Sequence, residues 1–116
     1  MKSSDSFTLD LDEKLGRALV YIKENLNRTI TLNELARISI LSPSHLSHEF
    51  KKKYKISPMK MHKKNRMQAI RNRLVNVNAT LSELADEYGY SNSFSLSRGI
   101  KKNFGSSPRA IKKLNS

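Results

Sequence analysis

The chain of 116 residues has no cysteine and no tryptophan, and no apolar run long enough to cross a membrane. Without cysteine there are no disulfides, no thiolate metal sites and no cysteine nucleophile. A signal-peptide pattern is also missing, so the expectation is a soluble, cytoplasmic protein. There is no phosphate-binding loop and no nucleotide fingerprint. No nucleophile motif organises the Ser, His and acidic residues into a hydrolase triad. No catalytic residue and no cofactor is therefore assigned, and an enzyme is not expected. His45 and His48 stand three apart, with only Glu49 beside them as a further ligand type. They read as surface or groove-side histidines, and no metal site is assigned.

Acid is missing where it matters most. Between Glu49 and Glu83 there is none, while ten Lys or Arg fall there, from Lys51 to Arg73. Over the whole chain 22 Lys and Arg face 10 Asp and Glu, for a net charge of +12. A block this one-sided in a small chain favours a polyanionic partner, and nucleic acid is the commonest one. A membrane surface would require a strongly apolar opposite face. Here the apolar positions are committed to internal packing.

What is present is helical periodicity. Residues 1–9 form a polar, Ser-rich tail or linker. Asp10 or Asp12 can cap a helix whose stripe is Leu11, Leu15, Ala18, Leu19, Ile22 and Leu26, ending across Asn25–Arg28. Thr31-Leu32-Asn33-Glu34 has the form of a capping box. Leu32, Leu35, Ala36 and Ile38 face inward on that short helix. A tight turn at Ser39-Ile40-Leu41 follows. A second helix then starts with Ser42 as cap and Pro43 in its first turn. Its buried stripe is Leu46, Phe50 and Tyr54. Short helix, tight turn and second helix make a helix-turn-helix. From Ser57-Pro58 to Val75 runs one long helix with no breaker and no acid.

After it the pattern returns. Thr80-Leu81-Ser82-Glu83-Leu84-Ala85 repeats Thr31-Leu32-Asn33-Glu34-Leu35-Ala36 with one substitution. Tyr88-Gly89-Tyr90-Ser91 repeats the turn and the next cap. With one residue inserted, Leu96-Ser97 matches Leu46-Ser47, Ile100-Lys101-Lys102 matches Phe50-Lys51-Lys52, Phe104 matches Tyr54, and Ser107-Pro108 matches Ser57-Pro58. The chain is an internal duplication. The expected fold is all-α, with two helix-turn-helix units joined by a long central helix and about seven helices in total. The expected boundaries are 1–9 for the tail, 10–56 for the first unit, 57–77 for the central spacer helix and 78–116 for the second unit. The apolar residues of the spacer, Met67, Ile70 and Leu74, are expected to pack onto the flanking units.

The second helix of such a unit enters the major groove. With Leu46 and Phe50 inward, Ser44, Ser47 and His48 face outward in the first unit. With Leu96 and Ile100 inward on a helix from Ser91 to Phe104, Asn92, Ser93, Ser95, Ser97 and Arg98 face outward in the second. These are the base-contact candidates. Arg98 suits a bidentate contact to guanine, with a phosphate clamp as the other possibility. Phe94 is assigned to internal packing ahead of contact with a thymine methyl. Lys51, Lys52, Lys53, Lys101 and Lys102, with the basic residues of the spacer, are phosphate partners by position and type. Thr31 and Thr80, at capped helix starts, add backbone N–H groups.

Taken together, these residues resemble the DNA-binding domain of the AraC/XylS family of bacterial transcription regulators, over about residues 11–114. The resemblance is carried by Leu35-Ala36, Ser42-Pro43-Ser44-His45-Leu46-Ser47 and Phe50-Lys51-Lys52 in the first unit. In the spacer it is carried by Arg66, Ala69 and Leu74-Val75. In the second unit the carriers are Leu84-Ala85, Gly89-Tyr90-Ser91, Leu96-Ser97-Arg98, Lys101-Lys102, Phe104-Gly105 and Ser107-Pro108. It implies the same base-contact positions, and binding of double-stranded DNA as one chain with both units in successive major grooves. It further implies a nucleoid-associated regulator, more often an activator than a repressor, that contacts RNA polymerase. Many members carry an N-terminal sensor domain. Ile40 and Lys55 depart from the family, which often has Gly at both places, so both turns are expected to be strained or differently shaped. Ile100 and Ile111 replace a common Phe and Tyr, swaps a core tolerates. Two readings from other classes are a helical protein-interaction module and a nonspecific nucleic-acid binder.

Overall fold

The computed structural model describes residues 9–76 and 78–114. Most of the expected N-terminal tail, residues 1–8, lies outside them. The described residues form seven α-helices and no strand: α1 (Leu11–Glu24), α2 (Leu32–Ser39), α3 (Pro43–Tyr54), α4 (Pro58–Asn76), α5 (Leu81–Glu87), α6 (Ser93–Phe104) and α7 (Pro108–Leu114). They fall into two compact units. One runs up to Asn25 and resumes over Ile30–His62; the other joins Leu26–Thr29 to the chain from Lys63 onward. The long helix α4 is therefore shared, its first residues in one unit and the rest in the other.

Local chemistry places the helix starts. Asp10, Thr31 and Thr80 each accept a bond from the backbone N–H of a glutamate three residues on, whose carboxylate returns to the cap's own N–H. These are three capping boxes. Ser42 caps α3 with Pro43 behind it. The Ser57 and Ser107 hydroxyls accept from the N–H groups of Lys60 and Ala110, at the matching points of the repeat. One cap differs from expectation. Asn92, not Ser91, caps α6, its side chain accepting from the Ser95 N–H at 2.8 Å. The inserted residue is absorbed in the turn, so the helix begins one position later.

In the first unit, α1 packs on α2 and α3 around Leu15, Ala18, Ile22, Ile30, Leu35, Ala36, Leu46 and Phe50. Tyr54 lies against Phe50, ring centroids 4.6 Å apart. In the second unit the core is Met67, Ile70, Leu74, Ala79, Leu84, Ala85, Tyr88, Leu96, Ile100 and Ile111. Met67, Ile70 and Leu74 thus all serve the second core, while Met59 and Met61 from the start of α4 pack against the first. Leu26 does not extend the α1 stripe. The helix ends at Glu24, and Leu26 packs against the second core.

Both turns without glycine keep the shape that glycine would give. Ile40 has φ 60° and Lys55 φ 67°, as Gly89 has φ 77° and Gly105 φ 74° at the repeated positions. After α2 the Leu41 N–H bonds to the Ala36 carbonyl at 3.0 Å, and after α5 the Tyr90 N–H bonds to that of Ala85 at 2.8 Å. The turn is the same and the first unit carries strain in it. Ile40 is β-branched and 59% exposed, so its side chain gives up little packing if removed. Ile40→Gly is expected to raise stability by about 1 kcal/mol in urea unfolding, because relief of the left-handed penalty outweighs the added unfolded-state entropy. An unchanged or lowered midpoint would show that the turn is unstrained.

Candidate nucleic-acid interface

The solvent face of α3 is small and polar, then basic. Ser44 and His48 are exposed and Ser47 is half-buried, with Leu46 and Phe50 behind them. Lys51, Lys52 and Lys53 follow, all exposed. Lys53 is already engaged: its ammonium donates to Asp12 on α1 at 3.0 Å, and that bond raises its pKa. His48 lies 3.8 Å from Glu49. Among the described residues, no group of three His, Cys, Asp or Glu gathers as a metal site would require.

On α6, Leu96 and Ile100 are buried, and Asn92 and Arg98 are exposed. Ser93, Ser95 and Ser97 are half-buried along the same helix. Arg98 lines a shallow groove with Ser95, Gly99, Lys101 and Lys102. The structure corrects the reading of Phe94. It does not pack internally but is 70% exposed, one helical turn before Arg98, whose guanidinium lies 5.9 Å from the ring centroid.

At the first turns of α2 and α5, the caps already use part of what Thr31 and Thr80 could offer. The N–H of Thr31 is taken by Glu34 and that of Thr80 by Glu83. Only the next N–H groups, of Leu32 and Asn33 and of Leu81 and Ser82, lack a partner within the helix. Thr80, through its backbone N–H and then its hydroxyl, holds the Glu83 carboxyl below the usual range, so the cap stays anionic.

The basic helix α4 divides into two populations. Lys60, Lys63 and Lys64 are exposed. Arg73 pairs with Glu87 on α5, and that hydrogen bond raises its pKa. Arg66 is 8% exposed: its Nε donates to the Leu26 carbonyl at 3.0 Å, its Nη2 donates to the Tyr88 carbonyl, and its guanidinium lies 5.3 Å from the Tyr90 ring centroid. His62, 3% exposed, donates through Nε2 to the Asn25 carbonyl at 2.7 Å. Arg66 is therefore not a phosphate partner. The signal was in the spacing. Pro58, His62, Arg66, Ile70 and Leu74 recur every four residues, each pair adjacent on the helix surface, and every one of them is buried.

Residues 35–113 match a helix-turn-helix domain family, and that span runs from within α2 to the end of α7. The chain belongs to the AraC/XylS-type helix-turn-helix family. As an AraC-type domain it is 32% identical over 101 residues to the raffinose operon transcriptional regulatory protein RafR of Pediococcus pentosaceus, covering 87% of this chain and 36% of that one. It is 30% identical over 95 residues to the XylDLEGF operon transcriptional activator 1 of Pseudomonas putida, covering 79% and 29%. The chain thus spans about a third of the length of these curated relatives. The C-terminal domain of AraT, a response regulator of Geobacillus stearothermophilus, superposes with a TM-score of 0.80 at 27% identity, covering 91% of this chain and 88% of that one. At 19% identity the DNA-binding domain of AdpA, solved with a target DNA, shares the fold, with a TM-score of 0.76 over 87% and 91% of the two chains.

Within this AraC-type domain the buried arginine is open to a direct test. Arg66→Met keeps much of the side-chain volume but leaves two backbone carbonyls without their donor. It is expected to lower the unfolding free energy by about 2–4 kcal/mol. Lys63→Met, on the exposed face, should change it by less than about 0.5 kcal/mol. Equal effects in chemical denaturation would mean that Arg66 contributes nothing beyond a surface charge.

Proposed function

We propose that this domain is the operator-reading part of a bacterial transcription regulator, seating α3 and α6 in successive major grooves of one duplex. The observation that supports it most is the duplication itself: each unit presents a second helix with a buried apolar stripe and a polar-to-basic outer face. Ser44, Ser47 and His48 face base edges in one unit; Asn92, Ser93, Ser95, Ser97 and Arg98 do so in the other. Lys51, Lys52, Lys53, Lys101 and Lys102 meet phosphates, with the first turns at Thr31 and Thr80 as further donors. The two recognition helices differ in sequence, so the site is asymmetric rather than palindromic. Half-sites lie about one turn, roughly 34 Å, apart. The domain is not an enzyme. It acts on the nucleoid in the cytoplasm and, in keeping with its relatives that are transcriptional activators, raises transcription through contact with RNA polymerase. Where it forms part of a longer chain, its further partner is an N-terminal sensor domain.

Titration of duplex DNA against salt tests this reading. Affinity should fall steeply with salt, and a duplex of about 20 base pairs selected from a random pool should bind ~10³-fold more tightly than random DNA. Equal affinity for all sequences would leave only a nonspecific nucleic-acid binder. No binding at low salt would leave a protein-interaction module. On the selected duplex, Arg98→Ala should relax preference at one or two base pairs and cost about 1–3 kcal/mol, whereas Lys52→Ala should weaken all duplexes alike. Matching behaviour of the two variants would make Arg98 a phosphate clamp.

The central helix has its own test. A Gly-Gly insertion between His62 and Lys63 falls at the boundary of the two units. It should cost more specific affinity than replacing Lys63 and Lys64 together by Ala. The reverse ranking would make α4 a binding surface rather than a spacer.

A further inference from the structure

We infer that Phe94 and Arg98 act as one reader of a thymine–guanine step, Phe94 holding the thymine C5-methyl while Arg98 bonds the adjacent guanine. The inference rests on the proposed operator-reading function and adds a residue to it. Among the described residues Phe94 is the one exposed phenyl ring, at 70%. It stands in the first turn of α6, the half of a recognition helix that lies nearest the base edges. Its neighbours Ser93 and Ser95 are small, so on this helix only the Arg98 guanidinium lies beside the ring. An apolar surface held in water at that place gains free energy only when something apolar covers it.

The major groove offers one apolar group on natural bases, the thymine methyl, and a phenyl ring is among the side chains that contact it. Arg98 supplies the second half. Its guanidinium lies 5.9 Å from the Phe94 ring centroid, one turn further along the same helix. In the groove that stacking orients the guanidinium fork toward guanine O6 and N7, and sets the ring beside the neighbouring base pair. Lys101 and Lys102, next along the helix, are placed for the flanking phosphates.

The test uses the full chain and the duplex selected from a random pool. The consensus should contain a thymine next to a guanine in the half-site bound by α6. Replacing that thymine by uracil removes only the methyl group and should weaken the wild-type domain about three- to fivefold, the worth of one buried methyl. Phe94→Ala should bind the thymine and uracil duplexes equally. A new selection with Phe94→Ala should keep the guanine and lose the thymine, and one with Arg98→Ala should lose the guanine. Because Phe94 packs in neither core, the variant is expected to retain its helicity by circular dichroism. A uracil duplex that binds the wild type as well as thymine, or that costs Phe94→Ala as much as the wild type, overturns the inference while leaving sequence-specific binding intact. A pool that yields no consensus overturns both together.

Discussion

The second unit depends on one buried guanidinium. Arg66 leaves α4 on its inward face and reaches two backbone carbonyls, those of Leu26 and Tyr88. Burying a charge is costly unless its donors are used, and here carbonyls and the face of Tyr90 replace the lost water. Tyr88 immediately precedes Gly89, where the chain passes through the left-handed region on its way to α6. Arg66 thus fastens the turn that aims the recognition helix. A Cβ at Gly89 would meet the Asn27 carbonyl oxygen at an ordinary contact distance of 3.6 Å, so the positive φ rather than a lack of space favours glycine there. The first unit holds an exposed counterpart. Arg17 stands to Arg66 as Thr31 stands to Thr80, and its Nε donates to the Ile38 carbonyl near the end of α2 at 3.0 Å. In each unit the helix before the pair sends an arginine to the end of the first helix. Only in the second unit is that bond sealed from solvent.

The positive-φ positions tell a related story about cause. If glycine made the turn, Ile40 and Lys55 should have changed it. Instead both adopt the left-handed conformation that Gly89 and Gly105 adopt. The turn is dictated by the packing of the two helices on either side, through Leu35, Leu46 and Phe50 in one unit and Leu84, Leu96 and Ile100 in the other. The residue in the turn only sets how much of that packing energy is spent. The first unit therefore carries two strained junctions where the second carries none.

Legibility in the sequence followed the range of the interaction. Caps and helix ends are decided within four residues, so Thr31 with Glu34 and Thr80 with Glu83 could be read directly. Core stripes such as Leu46 and Phe50 follow from period alone. The misreadings share a different cause. Arg66 reads by type as charge on a basic rod, whereas its four-residue spacing from Ile70 and Leu74 puts it inside; His62, four residues earlier, is buried in the same way with no sequence assignment. Phe94 likewise reads by type as an aromatic that belongs in a core, although its spacing from Leu96 and Ile100 puts it on the opposite, solvent side of the helix. The cap of α6 moved from Ser91 to Asn92 because the inserted residue could have fallen on either side of it. For the interface, the outward side chains of α3 and α6 other than Phe94 follow from the same period, whereas operator sequence is a property of the complex.

The two proposed readers are unequal in what they can distinguish. On α3 the outward positions are Ser44, Ser47 and His48, none of which offers the two-pronged contact that separates one base pair from the rest. On α6 the outward positions include Arg98 and an exposed phenyl ring. The supply of charge runs the other way: α3 ends in Lys51, Lys52 and Lys53, though Asp12 holds part of the last one. Phosphate contacts position and base contacts specify. On the proposed reading the first unit anchors and the second discriminates. That division fits the asymmetric site proposed for it. Two copies of one fold were retained while their outer faces diverged. The buried guanidinium, whose partners are all in the second unit, holds the turn leading into the helix proposed to carry base discrimination.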